Sequence, residues 1–433
     1  MSRFRFAKTF FLALGLCAAT VIVSPAQTLT TLASFTGTNG SKPFASLIKS
    51  SDGNFYGTTP TGGANGSGTV FKLTPDGTLT TLYNFCSQIN CTDGYDPQAV
   101  LVQARNGNFY GTTYLGGTQC LSGNDASTGC GTVFEISSSG TFTSIYSFCS
   151  DVVAGLCSDG AQPLGGLVQG TDGNFYGTTT SGGNNAADNN CFCGGSGTVF
   201  KLTTAGDLTT LYTFCNVTNS AGFCLDGAGP SASLVPGANG KFYGTTGGGG
   251  TGVGNNSGTI FEISPSGRLA TLYSFCQEAG CPDGAIPSAS LLLARNGNFY
   301  GLTRTGGQTH AGTAFKLTAA GTLTTLHVFS EDEGEVPYSA LVQASDGNFY
   351  GTLSTGGPYS DKGFPYGTVF KMTPEGAEST VYNFCSAPPC TVTSHGAYPY
   401  AGVVQGSNGH LYGLTNLGGT DDDGIVFSIL PKK

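Results

Sequence analysis

Four aspartates recur in one context. Asp93, Asp159, Asp226 and Asp283 each open the pattern Asp-Gly-x-x-Pro, and Glu333 opens it once more. Asn39 and His395 stand at the matching point of two further copies. Carboxylates repeated at a fixed spacing can ring a channel mouth and hold Ca²⁺, a cationic group or a hydroxylated ligand. Asp before Gly also satisfies its own backbone in a turn, and the sequence leaves both chemistries open. The run Asp421-Asp422-Asp423 is a candidate metal site of its own. His310 and His395 lie in the same kind of loop. Beside an acid either could transfer protons for a lyase or lactonase-type reaction, although a solvated loop histidine is the plainer reading. A Ser-His-Asp order, a Gly-x-Ser-x-Gly elbow and an HExxH helix are all missing, which removes the common hydrolase signatures. There is no Trp, which weakens the case for a sugar-stacking site.

The cysteines form the second chemical constellation. Leaving out Cys17, they fall into local couples: Cys86/Cys91, Cys120/Cys130, Cys149/Cys157, Cys191/Cys193, Cys215/Cys224, Cys276/Cys281 and Cys385/Cys390. Closely spaced pairs on an exported chain predict disulfides made in an oxidising compartment. A zinc site needs four converging ligands, and the histidines are scattered. An i, i+2 bridge is strained, so Cys191 and Cys193 pair elsewhere or stay free. Export itself is predicted by residues 1–26. Arg3, Arg5 and Lys8 precede an apolar run ending at Val23, and Ser24-Pro25-Ala26 supplies small residues for cleavage. That run is short for a membrane span. The formal net charge of −9 becomes more negative once those cations are removed. An acidic chain without a basic cluster excludes nucleic acid and anionic membranes as partners.

The elements that must carry these residues repeat. Gly53-Asn54-Phe55-Tyr56-Gly57-Thr58-Thr59 returns at 107, 173, 240, 297, 347 and 409. A run such as Gly68-Thr69-Val70-Phe71-Lys72-Leu73 follows each copy. Leu79-Thr80-Thr81-Leu82-Tyr83-Asn84-Phe85 comes next, and then a Pro-led segment such as Pro97 onward. Calling the Pro-led segment A, the order is A, B, C, D: four short strands per unit and seven units, with no helical periodicity. Asp-Gly or Asn-Gly at every A–B turn is a strong hairpin signal, because a type I′ turn needs positive φ at both central residues. The chain ends after the seventh C strand, while an unpaired D strand stands at 29–35. The expected fold is all-β: a seven-bladed β-propeller of 27–433 as one domain, with four antiparallel strands per blade. Residues 29–35 complete the seventh blade at 399–430 and remove the open edge. The Phe-Tyr pairs are expected to be core.

The unit running from Asp52-Gly53-Asn54-Phe55-Tyr56-Gly57 to Leu79–Phe85 resembles the GloVer tandem repeat of exported bacterial proteins, and more distantly the NHL propeller repeat. The resemblance spans nearly all of 29–430. It implies an extracytoplasmic propeller and supplies no catalytic residues. Many similar proteins end in a sorting signal; the ending Ile429-Leu430-Pro431-Lys432-Lys433 has no apolar tail, so release as a monomer is expected. Length variation and all the paired cysteines fall in D–A or B–C loops, and variable loops on a rigid scaffold commonly bind. The expected function is therefore a secreted or periplasmic scaffold that binds an extracellular protein or carbohydrate on that face. The alternative is a metal-dependent lyase or hydrolase at the channel mouth.

Overall fold

A computed structural model describes residues 27–118, 129–153, 156–183, 195–253, 256–358, 366–384 and 396–432. The expected signal at 1–26 lies outside the described residues, as do Cys120, Cys191, Cys193, Cys385, Cys390 and His395.

The hydrogen-bonded ladders resolve into seven four-stranded antiparallel sheets, the blades of a propeller, and a two-stranded ribbon of Val152–Val153 and Leu156–Cys157 in the loop between blades 2 and 3. In blade 1 the strands are A (Ile48–Lys49), B (Phe55–Thr59), C (Thr69–Leu73) and D (Leu79–Asn84). The other blades repeat this pattern, and among the described residues the only helical element is a single turn at Ile89–Cys91. Blade 7 is closed by the chain's first strand: Leu29–Ser34 pairs antiparallel with Ile425–Ile429, Leu29 opposite Ile429. Both ends of the chain thus share one sheet, as the unpaired D pattern predicts.

Strand A is shorter than its pattern suggests, only two residues in each blade. The reason is chemical. Proline has no N–H to give a ladder, and the small residues after it bond to the neighbouring blade instead. Ser46 Oγ accepts from Gly402 N, Ser233 Oγ from Gly166 N, and Ser290 Oγ from Ser233 N. The A segments are therefore the innermost layer, knitted around the axis.

The core lies between blades. Tyr56 of blade 1 stacks on Phe109 of blade 2 with ring centroids 4.0 Å apart. The same pair recurs as Tyr110–Phe175, Tyr176–Phe242, Tyr243–Phe299, Tyr300–Phe349 and Tyr412–Phe55. Only the seam from blade 6 to 7 lacks it, since Leu411 replaces the Phe. The glycine after each Tyr answers to the facing strand: a Cβ on Gly57 would lie 2.6 Å from the tip of the Phe71 ring. The ring covers the bare backbone, so any larger residue there would push the C strand away. Each C–D ladder also carries a bulge, as between Val70 and Phe71, which adds twist to the outer strand.

Candidate functional site

The D–A and B–C loops emerge together on one face. Residues before strand A bridge residues after strand B, as Tyr95 to Leu115 and Ala285 to Thr305. Two layers of that face matter: the carboxylates behind the loops and the rim around the axis.

Each predicted carboxylate holds its own loop. Asp93 Oδ2 accepts from Tyr83 Oη at 2.7 Å, Ser87 N at 2.9 Å and Ser87 Oγ at 2.9 Å. Asp159 binds Tyr146 and Ser150 N, Asp226 binds Tyr212 and Asn216 N, and Asp283 binds Tyr273 and Cys276 N. In every case the Tyr is the next-to-last residue of the preceding D strand. Glu333 keeps the geometry with a different donor, His327 Nε2 at 3.1 Å, together with Ser330 N and Oγ. Asn39 does the same through Thr36 N. Asp93, Asp159 and Asp226 are buried, whereas Asp283 and Glu333 are half-buried. Burial pushes the Tyr83, Tyr146, Tyr212 and Tyr273 phenols up, and each takes its next upward push from the hydrogen-bonded carboxylate, which in Tyr83 is opposed by a hydrogen bond to Ser87. Burial also raises Asp159. The second oxygens of Asp159 and Asp226 are buried without a protein donor among the described residues.

The predicted acids stand at equivalent places in separate loops and are not brought into contact with one another. Asp421 and Asp422 are exposed and Asp423 half-buried. Asp422 Oδ1 accepts from Gly418 N at 2.9 Å, and Asp423 accepts from the Ser41 hydroxyl, tying this B–C loop to the start of blade 1. His310 is exposed in a left-handed backbone conformation. Among the described residues, two sets of ligating side chains converge: Cys130 with Cys149 and Cys157, and His327 with Glu333 and Glu378. In the first set Cys149 and Cys157 are bridged to each other. Four predicted bridges are present: Cys86–Cys91, Cys149–Cys157, Cys215–Cys224 and Cys276–Cys281, each inside one D–A loop.

The rim is the part that the sequence did not announce. The residue before each strand-A proline is left-handed in all seven blades: Lys42, Asp96, Gln162, Gly229, Ile286, Val336 and Tyr398, with φ between 54° and 59°. Ile286 and Val336 adopt that conformation against the preference of β-branched residues. A cross-blade bond holds it, as from Ile286 N to Ser257 O at 2.8 Å and from Tyr398 N to Tyr366 O at 3.0 Å. One backbone shape thus displays six different side chains and one bare glycine around the mouth.

The residue after that proline adds aromatic rings on one side. It is aromatic in three consecutive blades, as Tyr338 (blade 6), Tyr400 (blade 7) and Phe44 (blade 1), and not in the other four. Phe44 lies 5.2 Å from Tyr400, and Tyr338 lies 5.0 Å from Tyr400. Phe44 also reaches Tyr338 at 6.0 Å with blade 7 standing between their blades. Rings from non-adjacent blades meet only if they converge on the axis. Arg304, from the blade 5 B–C loop, lays its guanidinium over Tyr338, 4.4 Å from the ring centre. All four side chains are half-buried. Burial raises the Tyr400 phenol, with Tyr338 and Tyr398 adding to the rise, so it stays neutral. In blade 2, next to Phe44's blade, Gln98 donates to Asp96 at 2.8 Å, and burial raises Asp96. The aromatic rings thus occupy one sector of the rim, and the other four blades present Gln98, Leu164, Ser231 and Ser288 after the proline. A cleft of 410 Å³ lies elsewhere, at the outer edge of the seam between blades 2 and 3, lined by Asp151, Ser158, Tyr212 and Asn216.

A disulfide-braced, seven-bladed β-propeller with an axial rim of variable side chains is the class that fold and site define. The chain belongs to the Gloeobacter/Verrucomicrobia repeat family, whose profile matches residues 18–223, 124–294, 194–394 and 281–433. The sequence matches none of the curated proteins. Among solved structures it is similar to the extracellular domain of a protein described as a hybrid two-component system from B. thetaiotaomicron (14% identity, TM-score 0.52, 93% of this chain and 41% of that one). The chain thus spans about two fifths of that protein's length, and the likeness shows the fold alone. Other matches are a protein of unknown function from Dyadobacter fermentans (12%, TM-score 0.47, 93% and 99% covered) and one described as a 6-phosphogluconolactonase from Bacteroides uniformis (16%, TM-score 0.48, 78% and 84% covered). Among the described residues no helix is long and apolar enough to cross a membrane.

Proposed function

We propose that the protein is an exported binding propeller that recognises an extracellular carbohydrate at its axial rim, on the D–A/B–C loop face. The observation that carries this reading is the convergence of Phe44, Tyr338 and Tyr400. Half-buried aromatic rings offer the C–H face of a pyranose a flat apolar partner, and their fixed positions cost little ordering entropy on binding. Arg304 supplies donors on the blade 5 side of that platform, while Asp96 and Gln98 of the adjoining blade 2 supply polar groups for hydroxyls. A mostly apolar surface with a few fixed polar groups is the usual composition of a small-ligand site. The absence of Trp is thus compensated by clustered Tyr and Phe. Four bridges inside the D–A loops leading into blades 2 to 5 suit an oxidising compartment.

The test is a glycan array with the purified mature chain, followed by calorimetry on any oligosaccharide retained. Tyr400→Ala should abolish binding, and Arg304→Ala should weaken it, with melting temperature unchanged in both. Array binding that survives Tyr400→Ala and Tyr338→Ala would place the ligand elsewhere on the molecule. An array on which nothing binds would overturn the carbohydrate reading.

A further inference from the structure

One seam departs from the other six in three residues at once. Strand D of blade 5 carries His327 where most blades carry the loop-binding Tyr, and Glu333 replaces Asp in the loop that follows. Glu378 opens strand D of blade 6, where every other D strand opens with Leu or Phe. In the ordinary seam these positions touch: Phe142 stacks on Tyr83 with centroids 3.9 Å apart. Glu378 therefore replaces an apolar side chain packed against its neighbour.

The ligating atoms of His327, Glu333 and Glu378 all lie within 4.8 Å of one another, and each residue is half-buried. Glu378 Oε1 is buried with no hydrogen-bond partner among the described residues. A buried, unpartnered carboxylate beside a second carboxylate is unfavourable both by desolvation and by like-charge repulsion. A cation between them relieves both. Ser330 N and Oγ donate to Glu333 at 3.0 Å, orienting that carboxylate as outer hydrogen bonds orient metal ligands. The loop between blades 5 and 6 also contains no cysteine, whereas the preceding D–A loops of blades 1 to 4 are each closed by a disulfide.

We propose that His327, Glu333 and Glu378 form a binding site for a divalent first-row transition ion, which pins blade 5 to blade 6 at a seam whose D–A loop carries no disulfide staple. Imidazole nitrogen with two carboxylates suits Zn²⁺ and its neighbours better than Ca²⁺ or Mg²⁺, which take oxygen ligands. Ligand atoms around tetrahedral Zn²⁺ stand about 3.4 Å apart for bonds of about 2.1 Å, so rotamer adjustments close the site without moving backbone. Its remaining positions are open to water. This site is separate from the aromatic rim and does not depend on the carbohydrate reading.

The experiment uses the mature full chain, stripped with EDTA and titrated with Zn²⁺ by calorimetry, with Ca²⁺ as comparator. One saturable Zn²⁺ site and a raised melting temperature are expected. Glu378→Leu, which installs the residue of the other blades, should abolish that site and leave the melting temperature in EDTA unchanged or higher; His327→Tyr should abolish it too. Co²⁺ loaded in place of Zn²⁺ should give a d–d spectrum without thiolate charge-transfer bands, a readout that needs no variant. Absence of saturable Zn²⁺ binding, retention of the site in Glu378→Leu, or thiolate bands from Co²⁺ would each overturn the proposal.

Discussion

Tyr83 donates its hydroxyl hydrogen to Asp93 Oδ2 across 2.7 Å. The donor is the next-to-last residue of a D strand and the acceptor anchors the loop that leaves it, so strand and loop are fastened by one bond. Because Asp93 is fully buried, its partners cannot be replaced by water without rearrangement. Asp93→Asn puts an N–H₂ or a weaker acceptor against the donors of Tyr83 and Ser87. It should lower unfolding free energy by about 1.5–3 kcal/mol, the usual worth of hydrogen bonds to a charged group. Tyr83→Phe should cost less, and the double variant should fall well short of the sum, since the two residues share an interaction. Additive losses in denaturant melts would show that the bond does not couple loop to strand.

Most of this architecture was legible in the chain because it is periodic. Leu79–Phe85 and its copies display Tyr83, Tyr146, Tyr212 and Tyr273 at one position, and Asp93, Asp159, Asp226 and Asp283 follow at another. What a one-dimensional pattern hides is the contact between the two columns, which lie across a loop of varying length. The rim was hidden for the opposite reason. Phe44, Tyr338 and Tyr400 break the repeat, and residues far apart in sequence become neighbours only when the ring closes. The usable signal was the proline column itself, whose following residue is aromatic in three blades that adjoin across the closure. His327 and Glu378 were equally visible as departures from Tyr and Leu, but nothing in the linear order pairs them.

Ring closure rests on the pairing of Leu29–Ser34 with Ile425–Ile429. Removing residues 27–36 leaves blade 7 with three strands and exposes the ladder edge of strand C, a template for pairing with another chain. It also strips Phe35 from the core, where it meets Phe71 edge-on at 5.2 Å. The truncated protein should melt lower and self-associate, as read by light scattering and calorimetry. A truncated monomer with the parent's melting temperature would refute closure by this strand.

The bridges Cys86–Cys91, Cys149–Cys157, Cys215–Cys224 and Cys276–Cys281 each stay within one loop. Non-reducing peptide mapping should recover these four, and the sequence adds Cys385–Cys390 to the expectation. Each short staple restricts the unfolded chain by roughly 2–3 kcal/mol. Replacing both Cys215 and Cys224 by Ala should therefore lower the melting temperature while the far-ultraviolet spectrum keeps its β signature. Bridges recovered between different blades would contradict the one-loop, one-staple arrangement.

The opposite face makes a prediction in pH. At three A–B turns an Asp takes the strand B Tyr hydroxyl and lies near a strand C lysine. In blade 1 Asp52 accepts from Tyr56 at 2.7 Å and stands 3.7 Å from Lys72; Asp172 with Lys201 and Asp346 with Lys371 repeat this. Burial pushes all three carboxyls up, but hydrogen bonds from Asn54, Asn174 and Asn348 and from the tyrosines outweigh it and hold them below the ordinary carboxylate range. Blade 2 reverses the bond: Asn106 donates to Tyr110, which donates on to Glu135. The fold thus accepts Asn at this turn. A carboxyl whose folded pKa is depressed binds fewer protons when folded than when unfolded. Its stabilisation is therefore fully present above the unfolded value of about 3.9 and is lost as pH falls through and below that value. The triple variant Asp52→Asn, Asp172→Asn, Asp346→Asn should melt lower than the parent at neutral pH. The gap should narrow below about pH 4 as the parent's carboxyls take up protons. A gap that stays constant from neutral to acid pH would mean that the turns act through shape alone and that the three charges contribute nothing.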